Sequence, residues 1–416
     1  MRKWILPLLL VSKSGFAQTL TLEDCIRMAQ SAPSTVAAAR MQSEIARQGS
    51  IQARANFLPQ FSVEGAFAYN SPLHGQFSFI ALNGIHEYTV LPTASLELDT
   101  AGRLRAIRAR AEADKQAAAA SLAVTERDLK RAVTASYYRL LLGRRMIKVS
   151  EDTLTEAQSF EKRTRLLFAN GEAAQADVVK AAGEVAFLEQ TLQAAQLEAR
   201  LANHDLASFW TSDVEKALDI ADVLDQAQPA PDQQSPAGQP FMGRPEFRLL
   251  DAQQLGFQAD ARRARADRLP QMNLMLQWGI DSTRFSFEDR GYAGFVRLNV
   301  PVFDWFRARS AQKQFQLQAQ QTQVNRQISE RAFSKEYRDA LAKVEMIYAQ
   351  IAKTEAQVKL SSENLRLSRV RYEGGEGSSL DVVASQNQLA QARANYYTVK
   401  ANYLNARADL EVARGQ

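Results

Sequence analysis

One cysteine, three histidines and twelve prolines in 416 residues are few, and each scarcity excludes something. Cys25 alone cannot form an internal disulfide, and with His74, His86 and His204 it makes no recognised metal-ligand spacing. No apolar run approaches the roughly 18 residues of a spanning helix, so any membrane crossing has to be made by strands. The glycine-rich stretch Gly374-Gly375-Glu376-Gly377-Ser378-Ser379 lacks the lysine of a phosphate loop and joins two helical patterns, so it is a turn. A Gly-x-Ser-x-Gly elbow is also missing, as is any supported nucleophile and base arrangement. The chain is therefore expected to have no catalytic residues, no metal and no cofactor.

What is present is said nearly twice. Ala53-Arg54-Ala55-Asn56-Phe57-Leu58-Pro59-Gln60 recurs as Ala264-Arg265-Ala266-Asp267-Arg268-Leu269-Pro270-Gln271, an offset of 211 residues. Further on, Asn170-Gly171-Glu172 with Asp177-Val178-Val179 recurs as Gly374-Gly375-Glu376 with Asp381-Val382-Val383, an offset of 204. The seven extra residues of the first copy fit a loop after its first strand.

Each copy then holds a stretch too long for an ordinary globular helix. Proline is absent from residue 93 to 228 and from 302 to the end. Tyr337, Val344, Ile351, Val358, Leu365 and Tyr372 are spaced seven apart, which is a coiled-coil seam. The shift by 204 gives Val133, Leu140, Ile147, Leu154, Glu161 and Phe168, five of them apolar. The return segment carries Leu380, Val383, Asn387, Ala390, Ala394, Tyr397, Ala401, Leu404 and Ala408 in steps of three and four, so two helices should run antiparallel around each Gly-Glu turn. Roughly 65 helical residues from Arg307 to Arg371 would span about 100 Å.

Before each long stretch the period changes to two. Met272, Leu274, Leu276, Trp278 and Ile280 alternate with mostly polar neighbours, as do Val296, Leu298, Val300 and Val302. Phe61, Val63, Phe67 and Tyr69 make one strand of the first copy, and Ala94, Leu96 and Leu98 belong to another. Such lengths suit the 9–11 or so residues that cross a bilayer at a tilt. Tyr69, Tyr88, Trp278, Tyr292 and Phe295 sit near strand ends or loops, where membrane-interface aromatics sit. Four strands cannot close a transmembrane barrel, and open edges are not tolerated in lipid, so several chains must share one.

The remaining segments set the boundaries. Met1 to Ala17, with Arg2 and Lys3, an apolar run from Trp4 to Val11 and then Gly15-Phe16-Ala17, predicts a signal peptide over 1–17 cut before Gln18. The first repeat runs over 18–225, with a β-hairpin at 60–99 and a helical turn near 169–176. Residues 226–243 contain Pro229, Pro231, Pro236 and Pro240 and read as a Pro/Gln-rich linker. The second repeat is 244–416, with a β-hairpin at 271–302 and a turn near 373–379. The formal charge of +5 is spread along the helices with both signs, so nucleic acid is not an expected partner. Arg103, Arg105, Arg108 and Arg110, then Arg262, Arg263, Arg265 and Arg268, cluster next to strand ends, either as helix-surface charge or facing lipid phosphates.

With these features in order, the chain resembles the outer-membrane efflux proteins of the TolC-like family over essentially its whole mature length. The residues that carry the likeness are Thr19-Leu20-Thr21-Leu22-Glu23-Asp24-Cys25-Ile26, the two Leu-Pro-Gln strand starts, Val300-Pro301-Val302-Phe303-Asp304, and the two Gly-Glu turns followed by Asp-Val-Val. The resemblance implies a mainly α fold with a membrane β part: long antiparallel coiled-coil hairpins and four transmembrane strands per protomer. It implies a homotrimer with a twelve-stranded barrel in outer-membrane lipid and an α-helical tunnel in the periplasm. It also implies a periplasmic adaptor and an inner-membrane transporter as partners, and lays the linker in an equatorial belt. Some relatives are lipid-anchored at an N-terminal cysteine, but Leu22-Glu23-Asp24 before Cys25 are not the small residues such a site needs.

Threefold repetition of the turns makes Asp381, Asp177, Glu172 and Glu376 the pore or gate candidates, and Asn170, Gly171, Gly374, Gly375 and Gly377 the tip residues for adaptor docking. Each aspartate also falls in the first turn of a returning helix, where a carboxylate is favoured by the dipole, and Ser378 and Asp381 are spaced like a capping box. Relatives often carry a second acid at the place of Ala384 and a basic residue at that of Gly377, so locking of the tip is expected to be weaker here or arranged differently. The expected role is a passive exit duct of a tripartite efflux pump or type I secretion system. The alternative is a periplasmic coiled-coil adaptor or structural protein; an adaptor should have one helical hairpin flanked by lipoyl-like and β-barrel segments, whereas this chain has two hairpins with paired amphipathic strands.

Overall fold

The protein is described here by a computed structural model, which covers residues 19–69, 71, 85–230 and 239–415. The expected leader, His74 and most of the first outward loop lie outside the described residues. In chain order the elements are α1 (Leu22–Ser31), α2 (Thr35–Ala55), β1 (Gln60–Tyr69), β2 (His86–Leu98), α3 (Arg103–Ala169), α4 (Gln175–Ala207), α5 (Pro245–Ala266), β3 (Gln271–Ser282), β4 (Arg290–Asn299), α6 (Arg307–Glu373) and α7 (Ser379–Arg414). The internal repeat is visible in this order, with a helix, a β-hairpin and a long helical hairpin occurring twice. Gln60 and Gln271, after the duplicated Leu-Pro, are the first residues of β1 and β3. No helix of the described residues is long and apolar enough to cross a membrane.

The described residues pack as two compact units, to both of which α2, α3 and α6 contribute. The first takes residues from 38–124 and 242–332 and holds the sheet. Its strands run in the order β1-β2-β3-β4, each antiparallel to the next, so β1 and β4 are unpaired edges. Register fixes the faces. Phe61 opposite Ala94, Leu276 opposite Ala94, and Trp278 opposite Tyr292 all lie on one side, with Tyr69, Tyr88, Val296 and Leu298. That side is apolar and largely exposed. The other side carries Glu64, Thr89, Ser95, Asn273, Gln277, Asp281 and Arg297.

Two sequence expectations change here. Phe295 pairs with Met275 and lies on the polar side, away from Tyr69, Tyr88, Trp278 and Tyr292, because it is an odd number of residues from Tyr292. Strand β4 ends at Asn299, not at 302, so Val300 and Val302 fall outside the ladder; Pro301 has no N–H to extend it. His86 is the first residue of β2, stacked on Phe67 at 6.1 Å and tilted against Tyr69 at 5.4 Å.

Where strands become helices, both repeats use an aspartate. Asp99 accepts from the backbone N–H groups of Leu104 (2.9 Å) and Arg105 (3.2 Å), and Asp304 from that of Ala308 (2.9 Å). Helices α3 and α5 are tied by Arg110, which pairs with Asp260 at 2.6 Å and lies over the Phe257 ring. Gly256 leaves room for that guanidinium, since a Cβ there would come within 3.0 Å of it.

The second unit takes residues from 1–37, 125–241 and 333–416. All six heptad positions of α6 are buried or half-buried, with Val344 and Leu365 deepest. The same stripe transferred to α3 drifts. Beyond Leu140 the buried residues are Leu141, Val149, Thr153, Ala157, Phe160 and Thr164, and Phe168 is exposed. In α7 the buried stripe near the turn is Ser379, Val382, Ser385, Gln386, Leu389 and Ala392, one residue off the expected one, and Leu380 is 60% exposed. A straight helix of 3.6 residues per turn cannot keep a strict seven-residue stripe facing one neighbour, and here each helix has more than one neighbour.

The non-helical strap after α4 begins at Ser208, well before the proline cluster. Asn203 holds it by donating to the carbonyls of Val214 and Lys216 (both 3.0 Å) and accepting from the Leu218 N–H (2.9 Å). Arg145 pairs with Asp222 and Asp225, Ile220 forms a parallel bridge with Leu20, and Tyr137 donates to the Ala221 carbonyl at 2.7 Å. Cys25, in α1, is fully buried in the same unit as this strap, and burial pushes its thiol up to about 11.

Candidate functional site

The two Gly-Glu turns are built alike. Gly171 and Gly375 take left-handed φ values of 79° and 74°, which a side chain would oppose. Glu172 N–H returns to the Leu167 carbonyl at 2.8 Å and Glu376 N–H to the Arg371 carbonyl at 2.9 Å. With Gly171 to Phe168 (2.9 Å) and Gly375 to Tyr372 (3.1 Å), each helix ends in a Schellman motif. Gly377 is needed for space, because a Cβ there would lie 3.1 Å from the Tyr372 nitrogen and 3.2 Å from Arg371 atoms. Asn170 and Gly374 complete the two turns, their N–H groups bonding the carbonyls of Leu166 (3.1 Å) and Val370 (3.0 Å).

The four acidic candidates differ in what holds them. Asp381 closes a capping box: its N–H reaches Ser378 Oγ at 3.2 Å and its carboxylate accepts the Ser378 N–H at 3.1 Å. The Ser378 backbone N–H first, then its hydroxyl, hold this carboxyl below the ordinary carboxylate range. Asp177 starts α4 without a side-chain cap at Ala174, and its carboxylate accepts from the hydroxyl of Ser379. Glu172 and Glu376 are exposed on the turns and make no ion pair among the described residues.

Beneath the turns all four helix segments meet. Phe160 of α3, Ala181 of α4, Leu365 of α6 and Val382 and Leu389 of α7 form one buried cluster, with Tyr372 against Phe160 at 5.3 Å. Above it, Glu156 of α3 receives Arg393 of α7 at 3.3 Å and Arg369 of α6 at 3.6 Å, while its backbone carbonyl accepts from Gln386 at 3.3 Å. Sequence reasoning missed Glu156, Arg369, Arg393 and Ser379. No local spacing marks them, because each acts on a helix distant in sequence. No group of three or more His, Cys, Asp or Glu that could hold a metal lies among the described residues. The site thus offers fixed turns, exposed and hydrogen-bonded carboxylates and a cross-braced helix core.

Paired amphipathic strands followed, twice over, by helical hairpins of this length make the fold of outer-membrane channels. The chain is similar to the outer-membrane channel OprN, with a TM-score of 0.84 and 18% identity over 95% of this chain and 89% of that one. It is similar to the CmeC outer membrane channel of Campylobacter jejuni, with a TM-score of 0.83 and 16% identity over 95% and 85% of the two chains. The open state of the MtrE outer membrane channel of Neisseria gonorrhoeae gives a TM-score of 0.79 and 21% identity over 95% and 88%. At these identities the likeness is one of fold. No curated protein matches the sequence. The family model described as outer membrane efflux protein matches residues 25–211 and 242–416. The chain belongs to the outer membrane efflux protein family. It is an exit duct of the cell outer membrane, with its long helices on the periplasmic side.

Proposed function

We propose that this duct is a non-enzymatic homotrimer serving a tripartite efflux or type I secretion machine, in which the energy is supplied by the inner-membrane transporter. The observation that carries the reading is the sheet itself. Edges β1 and β4 have no partner among the described residues, and the face with Phe61, Val63, Trp278 and Tyr292 is exposed. Lipid tolerates the apolar face but not open edges, whose unpaired N–H and C=O groups each cost several kcal/mol there. Copies of β1 and β4 therefore join around a threefold axis into twelve strands, with Tyr69, Tyr88, Trp278 and Tyr292 at the lipid interface. The mature chain is read as two repeats, 18–225 and 244–416, joined by 226–243 in an equatorial belt.

At the other end, threefold symmetry gathers the turns. Asn170, Gly171, Gly374, Gly375 and Gly377 form the surface that meets the adaptor, and Glu172, Glu376, Asp177 and Asp381 ring the entrance. The exposed Leu360, Val179 and Leu380 support burial against neighbouring copies. Membrane fractionation with chemical cross-linking tests this directly. The protein is expected in the outer membrane as a cross-linked trimer, and recovery as a soluble periplasmic monomer would overturn the proposal, leaving a coiled-coil adaptor as the reading to pursue.

A further inference from the structure

The strand-to-helix links of the two repeats are capped alike by Asp99 and Asp304, but they differ at the turn. The first repeat places a glycine in the left-handed region, Gly102 at φ 80°. The second places Trp305 and Phe306 there, at φ 52° and 60°. Left-handed backbone is unfavourable for bulky residues, so these rings are not chosen for the turn's sake. Nor does the fold bury them: Phe303, Trp305 and Phe306 are 63%, 84% and 62% exposed. They pack edge to face on one another, with Phe303 centroids 4.9 Å from Trp305 and 6.0 Å from Phe306.

Their position is defined by the sheet. Leu98 pairs with Met272 and Met272 with Leu298, so β2 ends, β3 starts and β4 ends at one margin. The aromatic trio follows β4 at this margin and, like Val296 and Leu298 of the strand's apolar face, is exposed. Arg307 and Arg309 come next, exposed and without an acidic partner among the described residues. Arg108 and Arg265, on the helices that follow β2 and precede β3, are in the same condition. The acid nearest in sequence, Asp304, is occupied in capping Ala308.

We propose that Phe303, Trp305 and Phe306, with Arg307 and Arg309, form an anchor for anionic phospholipid in the periplasmic leaflet. The rings sit at the boundary between acyl chains and headgroups, and the guanidinium groups take the phosphates. Net negative headgroups are preferred over zwitterionic ones because these arginines have no acidic partner among the described residues. This inference rests on the outer-membrane reading, and the test separates the two.

The full-length trimer is reconstituted with Trp305 as the sole tryptophan of residues 18–416 (Trp210→Phe, Trp278→Phe), and in parallel with Trp278 alone (Trp210→Phe, Trp305→Phe). Fluorescence quenching by lipids brominated near the headgroup or deep in the chain reports depth. Trp305 is expected to be quenched most by the shallow bromines. Native mass spectrometry should retain phosphatidylglycerol over phosphatidylcholine, with the preference falling about five-fold for each of Arg307→Gln and Arg309→Gln. Equal retention of the two lipids, or a Trp305 that neither probe quenches while Trp278 is quenched, overturns the anchor alone. Quenching of neither tryptophan overturns the anchor and the outer-membrane reading together.

Discussion

Ser379, the first residue of α7, donates its hydroxyl hydrogen bond to the carboxylate of Asp177 in the first turn of α4. The two residues are 202 apart in sequence, so this bond joins the returning helices of the two repeats just behind their turns. It makes the paired tips one structure. It also divides the acidic candidates, since Asp177 is engaged by the opposite hairpin, Asp381 by its own cap, and Glu172 and Glu376 by neither.

Ser379→Ala should loosen the tips without unfolding the helices. A hydrogen bond to a charged group contributes about 1.5–3 kcal/mol, and Ser379 is only 3% exposed. Amide exchange in both turns is expected to speed up about ten-fold or more by mass spectrometry. Asp177→Asn combined with Ser379→Ala should give less than the sum of the single effects; strictly additive values would mean that the two residues are not coupled.

Asp381→Ala should weaken cation selectivity and block by multivalent cations from the periplasmic side in planar-bilayer recordings, and Asp177→Ala should do less. Unchanged selectivity and block in Asp381→Ala would leave only the capping role. The pH dependence follows from the same geometry. The folded-state pKa of Asp381 lies below its ordinary value of 3.8, so the cap's contribution is present above that value and is lost as pH falls through the lower, folded one. Block is therefore expected to be flat from neutral pH to about pH 5.

Leu365→Asp and Leu380→Asp test the helix register. Leu365 is buried in the four-helix cluster, where an unpaired carboxylate costs several kcal/mol, about 3–5. The trimer should become heat-labile on gels. Leu380 is exposed within the protomer, so its replacement is expected to spare protomer folding and to act on assembly. Ile351→Asp, at a half-buried position, should fall between them. Equal melting of the Leu365 variant and the wild type would refute the packing described here.

Gly279→Ala should prevent barrel formation. Gly279 has φ 144°, and a Cβ there would lie 2.0 Å from the Val90 carbonyl oxygen across the β2–β3 ladder. Gly294→Ala, where a Cβ meets nothing within 4 Å, is the matched control. The heat-modifiable trimer band is expected to vanish for the first and persist for the second.

Cys25 should resist thiol reagents in the folded protein. Burial, and then the charge of Asp24, push its thiol from 9.0 to about 11, so little thiolate exists near neutral pH. Labelling with a maleimide is expected to be slow until denaturant is added; fast labelling of the native trimer would place Cys25 at the surface.

Much of this architecture is local and could therefore be read in the chain. Gly171 and Gly375 mark left-handed helix ends because few other residues adopt that backbone, and Leu-Pro-Gln marks both strand starts because proline stops the preceding helix. Even the misplaced Phe295 was decidable, since counting by twos from Tyr292 puts it on the polar face. Asp304 and Pro301 likewise bound the end of β4 and the start of α6 by rules that act within a few residues.

What the sequence determined by itself was the repeat, the element types, the caps and turns, and through them the family. Those depend on backbone preference and on periods of two and seven, which neighbouring residues express without help. Only the tertiary structure decided the drifted stripe of α3, the bond from Ser379 to Asp177, the Glu156 pairs with Arg369 and Arg393, and the exposed rings of Trp305 and Phe306. Each of these depends on which helix or strand stands opposite, and a helix with several neighbours can bury more than one face. That choice is made by packing between segments distant in the chain, so no local pattern records it.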